Sequence, residues 1–461
     1  MNTQSIKEII QKQRKYFLSG EARDIAFRIR SLKALEGAIR GNEDRIMDAL
    51  YKDLHKSGFE SYASEIGIIY PEIDVAIRHV RRWARTERVS TPVIHFLSRS
   101  YVHKQPYGTV LIIGPWNYPF QLTISPLVAA LAAGNTAVVK PSEISPHTSA
   151  VIAEILGETF PEHYVAAVEG GIEASQSLLA ERFDYIFFTG GTAVGKVVME
   201  AAAKHLTPVT LELGGKSPTI VDRDANLTLA ARRIAWGKFF NAGQTCLAPD
   251  YLFVHRDVKE RFITVLKSTI DAFYPGGAKS SPDYARIINA RHFSRLEGLM
   301  DRGTILHGGE RDPDTLFISP TLIGDVSPDH AIMKEEIFGP LFPVMEFDRL
   351  DEVISFINER PRPLALYYFS GNRSSQRKIL SETVSGGGCI NDTVSHVGST
   401  TLPFGGVGDS GMGSYHGKAG FDTFTHRKSI LVRSNLFDLA LRYPPYGTRL
   451  SLLKRLFRLI A

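Results

Sequence analysis

TVLIIGPWNYPF, residues 109–120, sets an unbroken apolar run against a Gly-Pro bend. Five residues of mostly branched aliphatic character with no polar alternation predict a strand buried on both faces, the signature of a parallel sheet. LTISPLVAALAAG at 122–134 then reads as a helix, and TAVVK at 136–140 as the next strand. Pro126 and the Gly134-Asn135 turn break this apolar stretch into helix and strand, so it is not a membrane span. YVAAVEGG at 164–171 and YIFFTG at 185–190 continue the alternation, and VVMEAAAKHL followed by PVTLELGG adds another step. The pattern predicts an α/β chain whose first sheet is doubly wound and ends near 211.

Outward from this core, residues 1–85 carry helical periodicity in SIKEIIQKQRKYF, ARDIAFRIRSLKALEGAI and EDRIMDALYKDL. A second α/β unit follows 211. LTLAARRIAWGKFF reads as a helix, YLFVH at 251–255 as a strand and VKERFITVLKSTI as a helix. Proline and glycine turns punctuate 275–325, after which VISFINER, ALYYFS and SSQRKILSETV supply helix, strand and helix. KSILVR at 428–433 is a short strand expected to pair with SYVHKQPY at 100–107.

At 461 residues the chain is long enough for two or three domains, and 43% hydrophobic with 22% charged residues is the balance of an ordinary globular protein. Two cysteines, Cys246 and Cys389, rule out a disulfide framework. The N-terminus lacks the apolar core of a signal peptide, so a cytoplasmic protein is expected. Arg442, Arg449, Lys454, Arg455 and Arg458 put five positive charges in the last twenty residues with no acid among them, enough to account for the net charge of +5. That balance therefore argues for a special C-terminus rather than for nucleic acid, which is not an expected partner. Histidines are scattered singly, without HExxH or Cys/His spacing, and no metal site is expected.

Cys246 stands in FFNAGQTCLAPD at 239–250, after a Gly-Gln-Thr bend and three positions before a proline. A core cysteine belongs in an apolar run; one after a bend can be held at a cleft edge, where its pKa can be lowered for nucleophilic attack. Asn117 follows a strand's C-terminal end, where open α/β sheets place ligands, and reads either as a turn former or as an oxyanion donor. Glu212 lies between two leucines, where burial would raise its pKa towards a general base; the alternative is a carboxylate holding local backbone N–H groups. Gly190, Gly191 and Gly195 open a helix after the FFT strand, where free N–H donors can meet phosphate.

Seven separated segments, in consistent order across nearly the whole chain, resemble the aldehyde dehydrogenases, and specifically their shorter class 3 or fatty-aldehyde branch. They are IGPWNYPF at 113–120, VVKPSE at 138–143, FFTGGTAVG at 187–195, LELGGKSP at 211–218, NAGQTC at 241–246, EEIFGP at 335–340 and LPFGGVGDSGMGSYHGKAGFDTF at 402–424. The resemblance implies an NAD-dependent enzyme, with NADP possible, and Cys246 as the nucleophile of a thiohemiacetal and then a thioester. It also implies Asn117, with the Cys246 N–H, as oxyanion donor, and Glu212 as the base that activates water, with Glu336 as a second glutamate in reserve. Lys140 and Glu143 would meet the adenosine ribose, Glu336 the nicotinamide ribose, and Trp116, Leu213, Gly214 and Phe338 the rest of the cofactor. The glycines of GGTAVG would serve its phosphates, although most relatives carry serine where Gly191 stands. Tyr118 and His396 are expected on the substrate side.

The same resemblance implies an NAD(P)-binding domain from 1–85 and 109–211, a catalytic domain over 212–400 and bridging elements at 86–108 and 401–436. A homodimer and an aliphatic aldehyde substrate go with it. Residues 437–461 form a tail in which RLSLLKRLFRLIA, 449–461, is an amphipathic helix of about 20 Å, too short to span a bilayer. Leu450, Leu452, Leu453, Leu456, Phe457, Leu459 and Ile460 share one half of its wheel, opposite Lys454, Arg455 and Arg458. Packing on this chain or its partner, a place at the substrate entrance and peripheral membrane contact are the alternatives. Competing functions are a coenzyme A-acylating aldehyde dehydrogenase, which commonly lacks the glutamate base, and a non-catalytic structural or binding protein on the same fold.

Overall fold

The computed structural model describes residues 3–300, 303–436, 438 and 442–460. Among them, a six-stranded sheet runs in the order Gly411–Met412, Val209–Glu212, Tyr185–Thr189, Thr109–Ile113, Thr136–Lys140, Val165–Ala167. All neighbours are parallel except the two-residue strand Gly411–Met412. Every residue of Thr109–Ile113, Thr136–Lys140 and Tyr185–Thr189 is buried, as their unbroken apolar runs predict. Strand order reverses between Thr109–Ile113 and Tyr185–Thr189. The two chain segments that leave these strands therefore diverge, opening a crevice at the carboxyl edge of the sheet.

The N-terminal helices cover this sheet. Asp24 accepts the Phe27 N–H to start the helix Ile25–Arg40, which packs with Ile69–Trp83 on the helix Gln121–Ala133. That last helix is buried nearly all round and, as expected for LTISPLVAALAAG, runs through Pro126. It ends at Gly134, whose φ of 94° is left-handed backbone that glycine adopts without strain.

A seven-stranded sheet forms the second layer, in the order Thr304–His307, Thr321–Gly324, Leu341–Phe347, Tyr251–His255, Pro218–Val221, Ala365–Phe369, Gly387–Ile390. The segment read as turns between 275 and 325 holds the helix Ala290–Met300 and four short strands. Phe293, Leu296 and Met300 supply that helix's buried stripe, too brief to stand out between glycines and prolines. Ser98–Pro106 pairs antiparallel with Thr425–Arg433, Tyr101 facing Ile430, and with Glu87–Val89 on its other side. The expected long-range pairing is present and extends over nine residue pairs.

Leu450–Ile460 is helical as read. Leu450, Leu452, Leu453 and Phe457 are exposed, so these side chains are not buried against the chain's own body. The side chains of Leu456, Leu459 and Ile460 lie outside the described residues, as do Phe437, Leu439–Leu441 and Ala461. Among the described residues, no helix is long and apolar enough to cross a membrane.

Asn135 joins the sheet to the bridging strands. It is fully buried; its Oδ1 accepts the Gly108 N–H at 2.9 Å, and its Nδ2 donates to the Ala130 and Phe424 carbonyls. Asn135→Ala would remove the partner of the buried Gly108 N–H and of the Phe424 carbonyl, at a cost of about 2–4 kcal/mol. Urea unfolding followed by circular dichroism should show a correspondingly lower midpoint; an unchanged midpoint would mean that water replaces the carboxamide.

Candidate active site

The crevice at the strand-order reversal is a cavity of about 630 Å³. Of the residues singled out from sequence, all but Gly195, Tyr118 and His396 line it. Asn117 comes from the bend after Thr109–Ile113, Gly190 and Gly191 from the turn after Tyr185–Thr189, and Glu212 from the end of its strand. Cys246 and Glu336 reach in from the second layer, so the cavity lies between the two sheets.

Cys246 follows a turn with three successive left-handed residues, Asn241, Ala242 and Gly243, at φ 52°, 51° and 73°. Gly243 lies so close to the Gly339 carbonyl that any Cβ would collide with it. Gln244 is buried and fully engaged: its Nε2 donates to Asn241 O and Arg286 O, and its Oε1 accepts the Ile288 N–H. This scaffold presents the half-buried thiol to the cavity. Its protonation differs from the sequence expectation of a lowered pKa. Burial pushes the thiol up to about 12, Glu336 and Glu212 add to the rise, and the N–H groups of Cys246 and Leu247 only partly oppose it.

Asn117 is buried, and its Nδ2 donates to Gln244 O at 3.0 Å, using one of the two amide protons. Neither carboxyl oxygen of Glu212 has a hydrogen-bond partner, and burial pushes this carboxyl well above the ordinary range. A glutamate held only for structure would have found local N–H donors; this one has none. Glu336 is pushed up to about 8 by burial and by the Asp250 charge, against the Gly215 N–H, Lys216 and Arg295. Its Oε1 has no partner, and a Cβ on Gly214 would fall on its carboxylate.

The remaining wall fits a dinucleotide. The helix Thr192–Ala203 begins at Gly191 without a side-chain cap and without an acid in its first turn, so its leading N–H groups and dipole face the cavity. Nothing would meet a Cβ on Gly191, which leaves open space there. Gly195 departs from its expected role: its missing Cβ makes room for Leu213, and it does not line the cavity. Lys140 is buried, giving hydrogen bonds to Pro141 O and Glu143 Oε2 and leaving its third N–H for a hydroxyl. The orphaned Glu336 oxygen offers an acceptor at the opposite end, where Phe338 packs edge-on against Trp116.

Tyr118 and His396 stand apart from this cavity. Tyr118 is buried with its hydroxyl on Thr245 Oγ1 at 2.6 Å, one residue before the thiol. His396 Nδ1 lies 3.4 Å from the Cys389 sulfur, and burial pulls the imidazole down to about 4. Lys56, Glu60 and Glu65 were missed from sequence although they are buried beside the Asn117 and Asn241 backbones. KDLHKSGFESYASEIG reads as an ordinary charged helical segment, and its partners are backbone groups of IGPWNYPFQ and NAGQTC, which no side-chain pattern announces. No cluster of metal-ligating side chains occurs among the described residues.

Residues 1–430 match the sequence model of the Aldehyde dehydrogenase family. A 4,4'-diaponeurosporen-aldehyde dehydrogenase of Staphylococcus aureus is 48% identical over 455 residues, covering 98% of this chain and 99% of that protein. The aldehyde dehydrogenase, dimeric NADP-preferring, of Rattus norvegicus is 48% identical over 443 residues, 96% of this chain and 98% of that one. Among solved structures, the substrate-bound state of Staphylococcus aureus AldH superposes with a TM-score of 0.96 at 48% identity, covering 98% and 99% of the two chains.

The charge coupling between Glu336 and Cys246 has a pH signature. Below about pH 8 Glu336 is protonated and exerts no repulsion; above it the carboxylate disfavours the thiolate. Glu336→Gln should therefore speed alkylation of Cys246 by iodoacetamide several-fold at pH 9 and leave it nearly unchanged at pH 6.5. Equal rates at pH 9 would show that the two groups do not interact.

Proposed function

The chain belongs to the aldehyde dehydrogenase family, and from that premise we propose that Cys246, Asn117 and Glu212 carry its NAD(P)-dependent oxidation of aldehydes to carboxylic acids. The observation behind this assignment is that a thiol, an amide donor and a buried carboxyl with no partner line one cavity beside an uncapped helix N-terminus. The Cys246 sulfur adds to the aldehyde carbon as the thiol proton passes to solvent, which leaves Glu212, the orphaned base in the same cavity, free for the later step. Asn117 Nδ2, with the Cys246 N–H, holds the oxygen of the thiohemiacetal as negative charge develops on it. Bound NAD(P) supplies the hydride acceptor. Glu212 then takes a proton from the water that attacks the resulting thioester, and the acid leaves as the Cys246 sulfur is released and reprotonated. A base for water favours hydrolysis over transfer to coenzyme A.

Within the family, APDY after the thiol and GMGSYHGK support the class 3 or fatty-aldehyde branch and medium- to long-chain aliphatic aldehydes. Lys140 and Glu143 form an ion pair at 2.8 Å, so neither sign of charge stands alone at the adenosine end, which supports NAD with NADP also accepted. Homodimer formation fits the name of the rat relative, and several edge strands, Thr425–Arg433 and Gly387–Ile390 among them, have one side unpaired among the described residues. The exposed apolar face of Leu450–Ile460, opposite Lys454, Arg455 and Arg458, supports peripheral contact with a membrane surface, from which apolar aldehydes are drawn.

Initial rates of NADH or NADPH formation with straight-chain aldehydes from two to sixteen carbons test the whole reading. Cys246→Ala should abolish turnover, and Asn117→Ala should lower kcat about 100-fold, corresponding to roughly 3 kcal/mol. Glu212→Gln should leave a burst of reduced cofactor followed by slow turnover. kcat/KM that does not rise with chain length would remove the fatty-aldehyde assignment and leave the chemistry. Deleting 449–461 should weaken co-sedimentation with anionic phospholipid vesicles or turnover of the longest aldehydes; a shortened chain unchanged in both would end the membrane reading.

A further inference from the structure

Asn117 is held through its backbone by groups from outside the cavity. Its carbonyl oxygen accepts two hydrogen bonds, from Lys56 Nζ at 3.0 Å and from Asn241 Nδ2 at 2.9 Å. Lys56 is fully buried in the segment between the helix Glu43–Leu54 and the short helix Gly58–Ser61, and its ammonium stands 4.0 Å over the Tyr118 ring. Its counter-charge is Glu65, also fully buried, on the π-helical turn Tyr62–Ile66. Glu65 Oε1 takes the Lys56 proton donor, and Oε2 accepts the Phe120 N–H at 2.9 Å and the Gln121 N–H at 3.2 Å. The pair therefore grips the 117–121 bend at two places, one cationic and one anionic.

The same elements reach the nucleophile loop. Glu60 Oε1 accepts the Asn241 N–H at 2.8 Å, and Asn241 Nδ2 also donates to Gln244 O at 3.1 Å. Gln244 O is the acceptor that orients the Asn117 carboxamide. A closed circuit results: Lys56 and Asn241 fix the Asn117 carbonyl, and Gln244 fixes its amide. A buried ion pair is a costly way to stabilise a fold, since desolvation offsets most of its attraction. Its use directly behind a cavity residue is explained by aim, because small misplacements of a catalytic group lower rates steeply.

We propose that Lys56, balanced by Glu65 and assisted by Asn241, is a positioning residue that sets the Asn117 carboxamide at the angle at which it meets the substrate oxygen. The proposal rests on the assignment of Asn117 as an oxyanion donor made above. Lys56 touches neither substrate nor cofactor; it acts through one peptide carbonyl.

A double-mutant cycle in the full-length enzyme separates this role from simple loss of stability. Lys56→Met with Glu65→Gln removes both charges together and keeps an acceptor oxygen for the Phe120 and Gln121 N–H groups. This pair should lower kcat about 10-fold or more, with the cofactor dissociation constant unchanged by fluorescence titration. In an Asn117→Ala background the same pair should have no further effect on kcat, because the group it aims is gone. If the folded pair turns over like the parent, or lowers kcat as much without Asn117 as with it, the positioning role is wrong. Asn117→Ala at parental rates would instead overturn the oxyanion assignment itself. Should the Lys56/Glu65 variant not fold, Asn241→Gly removes the other donor to the same carbonyl at a φ of 52° that glycine tolerates. The same two criteria then decide.

Discussion

Desolvation is the constraint on which this molecule is organised. Two glutamates and a thiol share one cavity, and burial pushes all three towards their neutral forms. In water these groups would be ordinary carboxylates and a weakly acidic cysteine. Between two sheets they become proton holders. The sheet arrangement produces this environment directly: strands buried on both faces converge on a reversal of strand order, and the loops leaving them have only each other to pack against. The orphaned oxygens of Glu212 and Glu336 lie there.

Other buried polar side chains are firmly engaged, although Lys238 Nζ and the Tyr164 and Tyr415 hydroxyls, like the two glutamates, have no hydrogen-bond partner. Asn135, Gln244 and Glu65 each serve two or more backbone partners. Their hydrogen bonds tie segments far apart in sequence, and those of Gln244 and Glu65 brace the backbone on the side of Asn117 and Cys246. Lys216 does similar work behind Glu336, donating to Asp250 and to the Ile332 and Glu335 carbonyls. The chemistry rests on a ring of satisfied groups around a few unsatisfied ones.

What could be read from the residues follows this division. Unbroken aliphatic runs gave away the parallel strands, because burial on both faces leaves no other pattern. Glu212 was legible for the same reason, as a carboxyl with leucine on either side. The strands between 304 and 324 were hidden because two- and four-residue strands carry too little periodicity. Gly195 looked like a ligand glycine, whereas its neighbour Leu213 needs the space. Lys56, Glu60 and Glu65 were out of reach, since nothing in a charged helical segment reveals which carbonyl, tens or hundreds of residues away, its side chains will meet. The thiol's raised pKa was equally hidden: the bend before Cys246 and the family resemblance pointed to it as a nucleophile, but its proton affinity depends on burial and on carboxyls brought beside it by the fold.

The left-handed turn before Cys246 has a mechanical consequence. Gly243 is pressed against the Gly339 carbonyl, in the loop that also carries Glu336 and Phe338. With no side chain between them, the two backbones meet like gear teeth. A shift of the Glu336 loop must be matched by the segment bearing the thiol, so the two walls of the cavity open or tighten as one part rather than as two.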